Sequence, residues 1–333
     1  MDMDPVGPAC GSRDWERMGA RVYRNSETPG LSEYVGARYE VLFKVWLPGF
    51  EEAEFNSVLC RKCGFLAFEP RPDGADIERK YRYLGAHPST QGEAMSHVDI
   101  DRRRSEELYA RLSGRLPDPP AAILDFGGGT GGMMSRFLDA GYECWVVDYV
   151  ETTIPGVRRL GRTVDDIPPA QRFELIICSH VLEHLAEFVG MIQRLAEHLT
   201  DTGILYVEVP LEVWDGIPLP PEPVTHFNFF TVPSLRIALE RAGVRLLACT
   251  EIMTTFEGGS REIAVMAIAQ RARQEPPATL SFQGAAEVSR SLFRPPLALR
   301  LQRLTAYPEI RRRAFKRWGR RYLPKTFFWR FLD

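Results

Sequence analysis

Short apolar blocks alternate with mixed segments along the middle of the chain, and this pattern predicts an α/β fold. Apolar runs that begin at Ile123, Cys144, Phe173 and Ile204 have the length of buried parallel strands. Apolar residues at helical spacing follow the first, third and fourth runs. Two later apolar segments, 244–253 and 262–269, are separated by a short glycine turn, which predicts an antiparallel hairpin at the end of the sheet.

The same patterning divides the chain into three parts. Three prolines within 117–120 mark a break just before the first strand, and 162–164 is the best candidate for a poorly marked third strand. We expect a small module at 1–90, a cofactor domain at 91–270 and a basic, helical tail at 271–333. Within the module, 39–46 and 55–59 predict small strands, whereas 77–84 predicts a helix.

A glycine-dense loop follows the first predicted strand. Gly127, Gly129 and Gly131 allow the backbone to turn sharply and to approach a ligand closely. Asp148 ends the second strand, where a carboxylate can accept hydrogen bonds from both ribose hydroxyls of a nucleoside. The spacing fits both S-adenosylmethionine (SAM) and a nicotinamide dinucleotide, so it predicts a nucleoside without choosing between them.

Two motifs carry a family resemblance. The sequence DFGGGTG at 125–131 resembles the first motif of class I SAM-dependent methyltransferases, and SHVLEHL at 179–185 resembles the fourth-strand motif of one branch of them. The resemblance implies a Rossmann-like sheet that ends in an antiparallel hairpin, with SAM as the cofactor. It also implies that the three glycines and Asp148 hold SAM, while Asp125 shapes the loop.

The resemblance implies roles for further residues. Asp166, or Asp165 beside it, would contact the adenine amino group, although either could instead belong to a turn. His180 would lie near the methionine part of the cofactor, and His226, with His180 second, would face the acceptor as a catalytic residue. An imidazole there could take a proton from the acceptor, or its ring could be satisfied by the backbone of its own loop.

Glu183 and His184 follow His180 by one helical turn. We expect these two residues to position the next helix and not to take part in catalysis.

Three cysteines suggest a metal site in the N-terminal part. Cys60 and Cys63 have the C-x2-C spacing of a zinc knuckle, and Cys10 resembles half of a second knuckle in which Gly7 replaces the partner cysteine. The arrangement resembles the N-terminal zinc module of some sugar C-methyltransferases. It implies structural Zn²⁺ and favours a nucleotide-linked sugar or a related glycan intermediate as acceptor. A ribbon that folds without metal is the alternative.

Composition adds an asymmetry of charge. The 333-residue chain is 44% hydrophobic and has a formal net charge of −2, but residues 290–333 carry thirteen Arg and Lys against two acids. Such a tail can pack on the acidic body or contact anionic lipid, and we expect no nucleic-acid partner. The chain has no apolar stretch of the roughly 18 residues that a membrane-spanning helix requires. We expect a cytoplasmic protein.

The sequence therefore predicts a SAM-dependent methyltransferase that acts on a small-molecule acceptor. An NAD(P)-dependent oxidoreductase shares the glycine loop, and a non-catalytic scaffold derived from a methyltransferase is the second alternative. Methylation of carbon, oxygen and nitrogen all remain open, as does the oligomeric state.

Overall fold

The computed structural model describes residues 6–27, 31–87, 98–256, 259–272, 280–308, 310–312 and 315. Its strands are β1 (Trp15–Arg24), β2 (Glu52–Cys60), β3 (Leu66–Glu69), β4 (Ala122–Phe126), β5 (Glu143–Val147), β6 (Arg158–Gly161), β7 (Phe173–Ser179), β8 (Leu199–Pro210), β9 (Asn228–Phe229), β10 (Val244–Thr255) and β11 (Arg261–Arg271). Its helices are α1 (Glu33–Glu40), α2 (Gly74–Ala86), α3 (Val98–Leu112), α4 (Ser135–Asp139), α5 (Phe188–Glu197), α6 (Val232–Arg241), α7 (Ala285–Phe293) and α8 (Leu297–Ala306).

The larger sheet confirms the predicted α/β fold. Within the described part of the chain it has seven strands, in the order β10, β11, β8, β7, β4, β5, β6. Neighbouring strands from β8 to β6 are parallel, whereas β11 pairs antiparallel with both β8 and β10. The chain leaves β4 in one direction and returns to β7 on its other side. A crevice therefore opens beyond the carboxyl ends of β4 and β7, where ligands bind in open α/β sheets.

The prediction for the third strand was wrong. The strand β6 ends at Gly161, and 164–166 forms a 3₁₀ turn. The carboxylate of Asp166 accepts hydrogen bonds from the backbone N–H groups of Arg162 and Thr163, both at 2.8 Å. A side chain that satisfies two backbone donors stabilises a turn in place of strand pairing.

The smaller sheet links the N-terminal module to the cofactor domain. It is antiparallel, in the order β1, β2, β3, β9, and β9 belongs to the loop that follows β8. Behind it, the fully buried rings of Phe65, Phe188 and Phe230 pack with centroids 5.1 to 5.4 Å apart. Because Phe65 follows β2 and Phe188 begins α5, the two parts of the chain share one core.

A second prediction was wrong within the module. Residues 39–46 are helical and not extended: α1 continues into a π-helical segment, Val41–Trp46. Ser32 caps α1 by accepting a hydrogen bond from the N–H of Val35. Val41, Leu42 and Phe43 are all buried, and a short apolar run of this kind fits a buried helix as well as a strand. The predicted strand at 55–59 and the predicted helix at 77–84 are confirmed within β2 and α2.

The C-terminal helices α7 and α8 return to the body of the protein. Gly64, beside Cys63, lies against Ala285 and Ser289 of α7. Arg303 of α8 is buried and pairs with Glu251 of β10. Most basic and aromatic residues of the predicted tail lie outside the described residues, so membrane contact there stays a prediction. Among the residues that are described, no helix combines the length and apolar character needed to cross a bilayer.

Candidate active site

The glycine loop lies directly against the turn that follows β7. A Cβ atom on Gly127 would lie 2.5 Å from Cγ2 of Val181, so a larger residue would separate the two loops. Gly129 has a φ of +56°, and a Cβ placed there would meet no atom within 4 Å. The loop therefore presents its backbone to open space, as a cradle for a ligand requires.

Asp148 is held at the end of β5 by this loop. Its Oδ2 accepts a hydrogen bond from the N–H of Gly129 at 2.8 Å, and its Oδ1 accepts one from the N–H of Val150 at 2.8 Å. A carboxylate has about four acceptor positions, so two remain for ribose hydroxyls. The backbone and the acid together fit the nucleoside part of SAM.

Asp125 lies beneath the loop and is almost fully buried. Neither of its carboxyl oxygens accepts a hydrogen bond from the described residues. Burial raises the pKa of Asp125 to about 7; the positive charge of Arg104 opposes this shift, and the charges of Asp148 and Asp101 add to it. A side chain on Gly128 would overlap this carboxyl group. The role of Asp125 in shaping the loop stays a prediction, and the structure adds that the acid is buried against Gly128.

A cleft of about 430 Å³ lies beside Tyr149, the residue that follows Asp148 in the chain. Tyr149, Leu185 and Met191 contribute to its lining, along with Thr163. Asp166 is exposed and caps the neighbouring turn, and Asp165 pairs with Arg194 of α5. The adenine contact assigned to Asp166 remains a prediction, and the structure adds that its carboxylate already has two backbone partners.

His180 lies in the crevice between two buried carboxyl groups. Its Nε2 is 3.2 Å from Oε1 of Glu208, and its Nδ1 is 3.4 Å from Oε1 of Glu183. Burial works to lower the pKa of His180, but these carboxylates outweigh it and raise the pKa to about 9. This shift favours the protonated ring, which has no lone pair with which to accept a proton. Its φ of 57° is unusual for a non-glycine residue.

His226 approaches the turn after β7 from the long loop that follows β8. Its ring centroid lies 4.7 Å from that of His184, and its Nδ1 is 2.8 Å from Oε1 of Glu212. Glu183, His184 and His226 form a compact group, here called the histidine–glutamate cluster, in which one nitrogen or oxygen of each residue lies within 4.8 Å of the others. The expected roles of Glu183 and His184 in positioning α5 stay a prediction.

Helix α2 supplies residues that the sequence analysis did not single out. The buried Nζ of Lys80 donates hydrogen bonds to the carbonyl oxygens of Val224 and Thr225, at 2.8 and 3.3 Å, and so fixes the loop that carries His226. The ring of Tyr81 stacks on Tyr149 with centroids 5.2 Å apart. The N-terminal module thus covers both the cleft and the histidine–glutamate cluster.

A separate group of side chains lies at the end of β2 and consists of Cys10, Cys60 and Cys63. Their sulfur atoms lie within 4.8 Å of one another, and Cys10 Sγ is 3.6 Å from Cys60 Sγ. Three thiols at this spacing fit three positions of a tetrahedral zinc site. No fourth His, Cys, Asp or Glu joins the group among the described residues.

Residues 98–248 match the family model of a methyltransferase domain, which covers less than half of the chain. A comparison with curated proteins gave no match.

Several solved structures resemble the chain at low identity. The 1,6-didemethyltoxoflavin-N1-methyltransferase of Burkholderia thailandensis, bound to 1,6-didemethyltoxoflavin and S-adenosylhomocysteine, is 18% identical over 63% of this chain and 95% of its own, with a TM-score of 0.49. The glycopeptide N-methyltransferase MtfA in complex with SAM is 16% identical over 51% and 94%, with a TM-score of 0.40. A SAM-dependent methyltransferase of Mesorhizobium loti is 15% identical over 51% and 100%, with a TM-score of 0.41. At these scores, the likenesses support no further conclusion about this chain.

The matched domain contains the glycine loop, Asp148 and the SHVLEHL turn. It is a SAM-dependent methyltransferase domain of the class I type, and SAM is its cofactor. The oxidoreductase and scaffold alternatives are set aside. The antiparallel pair β10 and β11 at the end of the sheet agrees with the hairpin expected for a methyltransferase domain of this class.

The buried acid beneath the loop predicts a pH-dependent stability. Since the pKa of Asp125 is raised from 3.8 to about 7 on folding, the folded state binds more protons between these values, and this group lowers the free energy of unfolding as pH rises through that window. Between pH 5 and pH 8 the loss should reach about 3 kcal/mol, because about two units of this window lie above pH 5 and each pKa unit is worth about 1.4 kcal/mol. Urea unfolding of the cofactor-free protein at these two pH values measures it. The Asp125→Asn variant should not show this fall in the free energy of unfolding. The Asp139→Asn variant is the control, because Asp139 is exposed, and it should show the same fall as the native protein.

Proposed function

We propose that the protein transfers the methyl group of SAM to a small-molecule acceptor bound between the glycine loop and the histidine–glutamate cluster. The observation that carries this proposal is the contact of Gly127 with Val181, which places the cofactor loop one short turn away from Glu183 and His184. A nucleotide-linked sugar or a related glycan intermediate is the proposed acceptor, on the resemblance of the cysteine-bearing module to that of sugar C-methyltransferases.

The cofactor is proposed to lie along the carboxyl edge of the sheet. Gly127, Gly129 and Gly131 would contact its methionine and ribose parts, and Asp148 would accept hydrogen bonds from the ribose hydroxyls. The cleft beside Tyr149 would take the adenine, because its lining combines an aromatic ring with apolar side chains. SAM bound in this way would direct its methyl group toward the crevice.

The proposed reaction is an in-line displacement at the methyl carbon. A lone pair of the acceptor forms the new bond, the carbon–sulfur bond breaks, and its electron pair remains on sulfur. The protein mainly aligns the two reactants, which is worth several kcal/mol of the barrier. His226 assists removal of the acceptor proton, either through its own nitrogen or as part of the cluster. His180 acts as a buried positive charge beside the reacting groups.

The three-cysteine group is proposed as a structural zinc site. Cys10, Cys60 and Cys63 would supply three ligands, and a zinc ion would tie the start of the chain to the end of β2. The group lies where Gly64 packs against α7, so an ion there would stabilise packing and take no part in methyl transfer.

An acceptor screen tests the proposed substrate class. The full-length protein is incubated with SAM and, separately, with nucleoside diphosphate sugars, free sugars and short peptides, and S-adenosylhomocysteine is quantified by mass spectrometry. Nucleotide-linked sugars should accelerate its formation well above the rate without acceptor. Acceleration by peptides alone would contradict the proposed acceptor and leave the methyltransferase assignment intact.

Loss of the imidazole at 226 should reduce turnover with little effect on cofactor binding. With the acceptor found in the screen, we expect His226→Ala to lower kcat by about 10²- to 10⁴-fold, the usual range for loss of proton-transfer assistance. The Kd for SAM, measured by calorimetry, should stay unchanged. His198→Ala is the control, because His198 precedes β8 at the opposite edge of the sheet and contacts the carbonyl of Gln171. Equal kcat values for the two variants would contradict the role of His226.

A further inference from the structure

Glu183 is a buried acid that lacks a satisfying partner. Its side chain is fully buried, and neither oxygen accepts a hydrogen bond from the described residues. The nearest basic side chain is that of His180, at 3.4 Å, which is longer than a regular N–H···O hydrogen bond. His180 also faces Glu208 at 3.2 Å, so one imidazole serves two buried carboxyl groups. An acid in this position is costly unless a further donor or cation reaches it.

His184 directs a lone pair toward the same acid. Its Nδ1 lies 2.6 Å from the carbonyl oxygen of Thr225, so this nitrogen carries the proton and donates it. Nε2 is consequently the unprotonated nitrogen, and it lies 3.9 Å from Oε1 of Glu183. Two acceptors thus face each other across a gap that a positive ion would fill.

His226 is oriented in a matching way. Its Nδ1 lies 2.8 Å from the carboxylate of Glu212, so the neutral ring carries its proton on that nitrogen and its lone pair on Nε2. Among the described residues no hydrogen bond to Nε2 is present. A histidine that donates one ring N–H to a carbonyl or a carboxylate is the usual form of a metal ligand. Both histidines of the cluster have this arrangement.

We propose that Glu183, His184 and His226 bind a divalent transition-metal ion. Their ligand atoms lie within 4.8 Å of one another, and two imidazoles with one carboxylate suit Zn²⁺, Co²⁺ or Fe²⁺. Three protein ligands leave at least one coordination position for another molecule, which is the pattern of catalytic and not of structural sites. Glu212 and the carbonyl of Thr225 orient the two histidines and do not touch the ion.

The open coordination position suggests a role for the ion in methyl transfer. This role rests on the proposed function. An acceptor hydroxyl bound to the ion would have a lowered pKa and lose its proton to solvent. Its oxygen then forms the bond to the methyl carbon, and the carbon–sulfur electron pair stays on sulfur. When the ion is bound, His226 acts through the ion, since the lone pair of its Nε2 is engaged in coordination.

Cobalt binding to the full-length protein tests the site. After treatment with a chelator, the protein is titrated with Co²⁺ and followed by visible absorption and calorimetry. We expect one ion whose d–d bands appear without a thiolate-to-cobalt charge-transfer band, because the ligands are nitrogen and oxygen. An ion at the three cysteines would show that charge-transfer band and is counted separately. Absence of the nitrogen and oxygen type of site in the native protein would overturn the proposal.

Variants assign the ion to the cluster. Glu183→Gln and His184→Gln should lose the d–d bands, and Glu212→Gln should keep them while binding about 10- to 100-fold more weakly, the usual cost of losing an outer partner. His198→Gln is the matched control and should bind like the native protein. Native-like binding by both Glu183→Gln and His184→Gln would overturn the assignment.

Two further measurements keep the result interpretable. Calorimetric binding of SAM confirms that each variant is folded, and it depends on the glycine loop and not on the cluster. In the native protein, Co²⁺ should broaden the imidazole NMR signals of His184 and His226 and spare that of His198, which tests the site without any variant. Cobalt binding without methyl transfer would contradict the proposed function alone, and methyl transfer without cobalt binding would contradict this proposal alone.

Discussion

The close approach of two loops at the carboxyl edge of the parallel sheet determines the rest of the site. Gly127 after β4 and Val181 after β7 touch because one of them has no side chain. That contact is possible only where adjacent parallel strands end at the same edge and the chain has left β4 on one side and returned on the other. The proposed cofactor on the first loop and the proposed acceptor on the second would thereby lie within reach of each other.

The N-terminal module completes this site by closing it from above. Strand β9 pairs with β3, so the loop that carries His226 is anchored to the module's own sheet. Asn228 in β9 also donates hydrogen bonds to the carbonyl oxygens of Leu182 and Leu185, at 2.8 and 2.7 Å, which ties that loop to the turn after β7. Arg71 reaches the same turn and donates to the carbonyl of Ala186 at 2.8 Å. The module, the loop and the turn are therefore joined by hydrogen bonds around the proposed acceptor side.

The sequence signals for the proposed cofactor side of this site are local. Gly127, Gly129 and Asp148 belong to short motifs with fixed spacing, and the hairpin of β10 and β11 follows from two apolar runs around a glycine turn. The acceptor side depends on contacts between distant residues. Thr225 lies 41 positions from His184, and Lys80 lies 144 positions from Val224. No spacing in the chain encodes such pairs.

The two incorrect strand predictions, at 162–164 and 39–46, have local causes. A single carboxylate, that of Asp166, turned the end of a weak strand into a 3₁₀ turn. The apolar run at 41–43 satisfies helix and strand periodicity alike, and only its packing under α2 decides between them. The first error falls on Asp166, a predicted cofactor residue, whereas the second lies outside the predicted cofactor site.

A crystal structure in complex with S-adenosylhomocysteine tests the central claim most directly. The account predicts ribose hydroxyls on the carboxylate of Asp148, adenine beside Tyr149, and the sulfur atom facing the gap bounded by Glu183, His184 and His226. A ribose bound away from Asp148, or a sulfur atom directed to the opposite side of the glycine loop, would contradict it.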